Sequence, residues 1–164
     1  MADIFISYSK QDQDEAWLLA AFLEAEGYSV WWDTSLLAGE SFRKAIMAEL
    51  GRARAAIVIW TEDSIHSDWV QSDAGRAHAE GKLIPVKAKG LTCRDIPPPF
   101  DTMHVEDLGD REKILAAVVA QLAKPDAQPS SLPQRSKTAL FELLSWFRTA
   151  GAGLRRRYHK YRGK

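Results

Sequence analysis

Trp69 and Asp73 stand four residues apart in the run Trp69-Val70-Gln71-Ser72-Asp73, within a stretch whose pattern predicts a helix. At that spacing the ring and the carboxylate share one helical face, a turn apart. An anion beside an aromatic plate can stack a flat base and stabilise positive charge developing on the adjoining sugar. Met without context, the same pair is a packed ring and a solvated charge. A second polar group is Ser7-Tyr8-Ser9-Lys10, which on its own reads as a hydroxyl-rich turn after a buried strand. His66, His78, His104, His159 and Cys93 have no metal-ligand spacing, so no metal site is expected. The chain also lacks a Gly-rich phosphate cradle. A nucleotide bound here would have to be held by hydroxyls, aromatic rings and carboxylates.

These residues need a scaffold, and the hydrophobic pattern supplies one. Short β-rich runs alternate with helical periods from Asp3 to about Lys124, the pattern of a parallel sheet covered on both faces. The expected strands are Asp3 to Ser7, Tyr28 to Trp32, Ala55 to Trp60, Leu83 to Lys87 and a weaker one at Met103 to Val105. Between them fall helical periods through Trp17, Leu18, Ala21, Phe22 and Ala25, then Ala45, Ile46, Glu49 and Leu50, then Trp69 to Ala79, and last Ile114 to Leu122. Gly27, Gly51 and Gly81 are placed to end helices, and Ser41 and Ser67 to cap their starts. Right-handed crossovers then give an α/β fold, a flavodoxin-like doubly wound five-stranded parallel sheet whose crevice lies at the strands' carboxyl ends. The segments expected at that edge are Ser7 to Lys10, Asp33 to Phe42 and Thr61 to Asp68. A phosphoryl-accepting receiver domain of the same topology would need acids where strand one ends in Ser7 and strand three in Trp60-Thr61, and that reading is poor.

At 164 residues the chain has room for about one domain with its own core. The formal charge of +0 hides an asymmetry. Residues 133–164 hold nine Lys and Arg against Glu142 alone, so this end is +8 and the remainder −8. Residues 125–136 (PDAQPSSLPQRS) read as a linker. Beyond it, Ala139, Leu140, Leu143, Leu144 and Phe147 share one face of an amphipathic helix, which Glu142 and Arg148 make too charged to cross a bilayer. The run from Arg155 to Arg162 would meet anionic lipid, nucleic acid, an acidic partner or the −8 body of a neighbour, or would simply solubilise the chain. It also reads as the start of a connection to a further domain. The single Cys93 and an N-terminus without a charged and then apolar leader point to a reducing, cytoplasmic setting, with no transmembrane segment expected.

Four stretches carry a family resemblance: Ile4-Phe5-Ile6-Ser7-Tyr8-Ser9, Val30-Trp31-Trp32-Asp33 with Leu36 and Gly39, Ser64 to Asp73, and Gly81-Lys82-Leu83-Ile84-Pro85-Val86. In this order they resemble a bacterial Toll/interleukin-1 receptor (TIR) domain over residues 1–124. The resemblance implies a flavodoxin-like sheet and one of two functions in bacterial immune or stress signalling. Some such domains cleave NAD, as substrate and with no tightly bound cofactor, between nicotinamide and ribose. Others only assemble through homotypic contacts. In the cleaving members a Trp-x-x-x-Glu pattern supplies the catalytic acid, which falls on Asp73, so this chain departs from the family there by one carbon–carbon bond, roughly 1.5 Å. The resemblance further places Ser7, Tyr8, Ser9, Lys10, Trp32, Asp33, Ser64 and Trp69 around the substrate. Leu36, Leu37, Gly39 and Phe42 fall in the loop that completes a neighbour's site, and the apolar pair at its tip independently suggests contact.

Overall fold

A computed structural model describes residues 2–32 and 40–124, with the side chains of residues 40–42 outside the description. Strands β1 (Ile4–Ser7), β2 (Val30–Trp31), β3 (Ala55–Trp60), β4 (Leu83–Lys87) and β5 (Glu106–Asp107) form one parallel sheet in the order β2-β1-β3-β4-β5. Helices α1 (Gln13–Ala25), α2 (Glu40–Arg52) and α3 (Asp68–Ala79) connect the first four strands, two short 3-10 turns lead from β4 to β5, and α4 (Arg111–Leu122) follows β5. This is the flavodoxin-like order that the alternation of elements predicts. The linker and basic tail assigned to residues 125–164 lie outside the described residues.

The two-residue period of the strands sorts side chains onto two faces. Ile4 and Ile6 of β1, with Ala55, Ile57 and Ile59 of β3, pack against Ala16, Leu19, Ala20 and Leu23 of α1 and Ile114 and Val118 of α4. Phe5 and Ala56 point the other way, onto Leu50 of α2 and Ala77 of α3. Val58 and Trp60 continue that second face against Val70 and Ala74 of α3 and the downstream residues Leu91, Ile96 and Phe100. Ser7 alternates with Ile6 and so falls on the α3 side. The position of a polar residue at the strand end, and the face it presents, are both consequences of strand periodicity.

Several sequence expectations move. The fifth strand forms at Glu106–Asp107, directly after the expected run, because Met103 and Val105 pack onto the Trp60 and Phe100 cluster and the chain reaches the ladder only at Val86 and Lys87. Strand β2 is only Val30–Trp31, while Tyr28 and Trp32 turn onto the first core face. The buried stripe of α1 is Ala16, Leu19, Ala20 and Leu23 rather than one through Leu18, which is exposed. Every residue from Ala16 to Phe22 is apolar, so periodicity alone does not choose the stripe. Gly51 lies inside α2 and Ser41 falls after its first residue, so neither bounds that helix as expected. Gly27 (φ 92°) and Gly81 (φ 67°) do end helices, in left-handed conformations that favour glycine.

Candidate active site

Helix α3 starts where the sequence says it should, with the Ser67 hydroxyl accepting the Val70 N–H at 3.4 Å. Its buried stripe, Val70, Ala74 and Ala77, seats it on the sheet, and Asp73 rides beside that stripe above the end of β1. There the Ser7 hydroxyl donates to Asp73 Oδ2 at 2.8 Å. Burial pushes the Asp73 carboxyl up to about 6, against the Ser7 hydrogen bond and the positive charges of Arg43 and Arg76, which pull it down. A partly buried carboxylate with a raised pKa at the carboxyl edge of a parallel sheet is an arrangement met at functional sites.

Trp69, one turn before Asp73, leaves 58% of its surface exposed. The guanidinium of Arg43, from the first turns of α2, lies 4.4 Å from the centre of its ring. On the other side of the site Tyr8 and Trp32 are tilted neighbours, with ring centres 6.3 Å apart, both half-buried against the first core face. The structure therefore brings Ser7, Trp69 and Asp73 into one place, with Tyr8 and Trp32 at the end of the two neighbouring strands β1 and β2. Lys10 is exposed at the start of the segment before α1.

Two of the expected substrate-contacting residues are buried and hydrogen-bonded within the fold. The Ser64 side chain is fully buried, with its hydroxyl accepting the Thr61 N–H at 2.7 Å and lying 3.4 Å from the Thr61 carbonyl oxygen, which closes the turn after β3. The Ser9 hydroxyl is also buried and donates to Gln11 Oε1 at 2.6 Å. Asp33, Leu36, Leu37 and Gly39 lie outside the described residues, as does the side chain of Phe42.

Three charged residues not singled out in the sequence surround this edge. Arg43 and Arg76 both act on Asp73, and Asp12 accepts a hydrogen bond from Thr61 Oγ1 at 2.7 Å, its carboxyl raised by burial. Arg76 was legible in principle, three residues after Asp73 on the same helix. Arg43 was not, because only the packing of α2 beside α3 brings it near. Among the described residues no group of His, Cys, Asp and Glu is placed to hold a metal ion, and no helix is long and apolar enough to cross a membrane.

Comparison with known proteins agrees with this architecture. A probable 2' cyclic ADP-D-ribose synthase from Methanobrevibacter olleyae is 29% identical over 100 residues, covering 57% of this chain and 29% of that protein. An NAD(+) hydrolase from Paracoccus denitrificans is 38% identical over 73 residues, covering 43% of this chain and 24% of that protein. The chain thus spans less than a third of the length of either curated relative. Among solved structures, a metazoan TIR-STING receptor from C. gigas superposes with a TM-score of 0.64 at 19% identity, covering 99% of this chain and 53% of that one. The TIR domain of a Toll-related receptor from Hydra magnipapillata gives 0.57 at 17% identity, covering 74% and 95%. At these identities the two structures speak to the fold. The sequence model of the TIR domain matches residues 4–123, from the first strand to the end of α4, and the chain belongs to the TIR domain family.

Proposed function

We infer that this chain cleaves NAD at the bond between nicotinamide and ribose. The observation that carries the reading is the Asp73 carboxylate, held by Ser7 at 2.8 Å at the sheet's carboxyl edge, with an exposed indole one turn away. The named activities of the two curated relatives support it. When the C1′–N bond breaks, its electron pair goes to the pyridinium nitrogen and nicotinamide leaves neutral. No general acid is required, and the barrier lies in the cationic ribose left behind. Asp73, ionised, stabilises that cation or holds the ribose hydroxyls. Trp69 stacks beside it, Tyr8 and Trp32 wall the crevice, and Ser7 orients the acid. Water captures the cation in hydrolysis, and a nitrogen or hydroxyl of the same molecule captures it in cyclisation.

Two predictions arise here. Nicotinamide release by the purified full chain should exceed background and rise faster than linearly with protein concentration, because we place Leu36, Leu37, Gly39 and Phe42 in a loop that completes a neighbour's site. Absence of release at every concentration would overturn the enzyme reading. The second concerns pH. Since the ionised form of Asp73 is the working one and its pKa lies at about 6, kcat/KM should fall tenfold per pH unit well below pH 6 and level off above it. A profile flat down to pH 4.5 would remove Asp73 from the chemistry.

A specific feature favours a second reading, in which the domain acts only by homotypic assembly. The family's glutamate is an aspartate here, one carbon–carbon bond shorter, with its carboxylate hydrogen-bonded to Ser7 of β1. In either reading residues 1–124 act as one domain in the cytoplasm, within a bacterial immune or stress pathway. The 125–136 linker then carries the basic 137–164 tail toward an anionic partner or membrane surface.

A further inference from the structure

Trp69 is the most exposed large apolar side chain among the described residues, and the group described over its ring is a cation from another helix. A guanidinium is flat, delocalised and weakly hydrated, so it stacks on an indole much as a planar base does. At 4.4 Å from the ring centre, Arg43 leaves no room for a second plate between itself and Trp69. Ring and guanidinium are therefore alternatives on that face. The Arg43 side chain is exposed, so it can leave by rotamer change without moving α2.

The geometry points to Arg43 as the resident occupant of the Trp69 plate, which a flat cationic ring must displace in order to dock. The residue would thereby act as a gate on affinity and as a filter on ligand charge. A neutral ring replaces one stacking partner with another. A pyridinium cation also has to enter against the like charge it displaces, so Arg43 weighs more heavily on it. Binding at an exposed cation–π site is worth a few-fold, which sets the size of the effect at roughly 2–5-fold for the displacement itself. The inference rests on the site proposed above, but not on its turnover.

The experiment measures binding of 1-methylnicotinamide, a pyridinium cation, and of neutral nicotinamide to the full chain, followed by NMR of the Trp69 indole N–H. The wild type is compared with Arg43→Ala and Arg43→Lys, and the indole signal is assigned with Trp69→Phe. Arg43→Ala should tighten the cation roughly 3–10-fold and the neutral ring by less, with Arg43→Lys in between. Weaker binding of either ligand to Arg43→Ala would make Arg43 a ligand-holding group and overturn the inference. Unchanged binding of both would mean that rings dock on the other face of Trp69, and would overturn it equally. If the binding order appears in a chain that releases no nicotinamide, Arg43 keeps this role and the enzyme reading fails. If nicotinamide is released and the binding order is absent, the reverse holds.

Discussion

Replacing Asp73 with alanine should lower nicotinamide release by roughly 10²–10³-fold, the usual cost of deleting one fixed group that meets charge in the transition state. Asp73→Glu should keep or raise the rate, because one more carbon–carbon bond carries the carboxylate about 1.5 Å further into the crevice. The same residue has an opposite effect on the fold. Its carboxyl titrates at about 6 when folded against an ordinary value of 3.8, so burying the charge costs the native state on the order of 2–3 kcal/mol at neutral pH. The sign follows from proton counting. Below pH 3.8 both states hold the proton and nothing is lost. Between 3.8 and about 6 the unfolded chain ionises while the native one retains its proton, so stability falls as pH rises, and above about 6 the loss is complete. Asp73→Asn still offers an oxygen to the Ser7 hydroxyl and carries no charge. It should therefore be inactive yet more stable than wild type by about 1–3 kcal/mol at pH 7.5, with the gain vanishing near pH 4. Urea midpoints across that range, beside nicotinamide assays, check both halves. An Asn variant that is less stable at pH 7.5 would show that the carboxylate serves packing, and an Ala variant that releases nicotinamide at the wild-type rate would remove Asp73 from the chemistry.

The sequence carried the scaffold further than the site. Alternation in β1 and β3 and the glycines after α1 and α3 are local signals, and each survives in the structure. Ser67 likewise caps α3 as a residue-level reading requires. The contacts that give Asp73 its character are non-local. Ser7 is 66 residues away in sequence, and their meeting depends on both the face of β1 and the rotation of α3. Arg43 reaches Trp69 only because α2 and α3 share one side of the sheet, which no spacing encodes. Ser64 is ambiguous for the converse reason. A serine after a strand reads equally as a ligand contact or a turn lock, and here the Thr61 backbone claims it. Apolar residues misled at Met103 and Val105 because a side cluster buries them as well as a strand would.

Lys82→Met should destabilise the fold by roughly 2–4 kcal/mol, although the two side chains are close in length and the position is buried. The lysine ammonium lies inside the protein at the end of α2, donating to the carbonyl oxygens of Leu50 at 2.6 Å and Ala53 at 3.0 Å, with Gly51 at 3.4 Å. Its counter-ion is Glu80, 2.6 Å away and itself paired with Arg76 at 2.9 Å. A helix ends with carbonyls that have no intrahelical donors and with a partial negative charge, and a buried cation answers both needs. Methionine fills the space but leaves those carbonyls dry and unpaired, and each such group costs about 1–3 kcal/mol. For a domain of this size a loss of about 3 kcal/mol should lower Tm by on the order of 10 °C. Glu80→Gln, at a partly exposed position, should cost less than about 1 kcal/mol, which separates the helix cap from the ion pair. If Lys82→Met melts within about 2 °C of wild type, on the order of half a kcal/mol, water has reached the carbonyls and the cap is dispensable. The consequence reaches the site, because Lys82 fastens to β4 and α3 the same helix whose other end carries Arg43. A loosened α2 should release Arg43 from Trp69, so Lys82→Met should tighten 1-methylnicotinamide in the same direction as Arg43→Ala at temperatures where the fold persists.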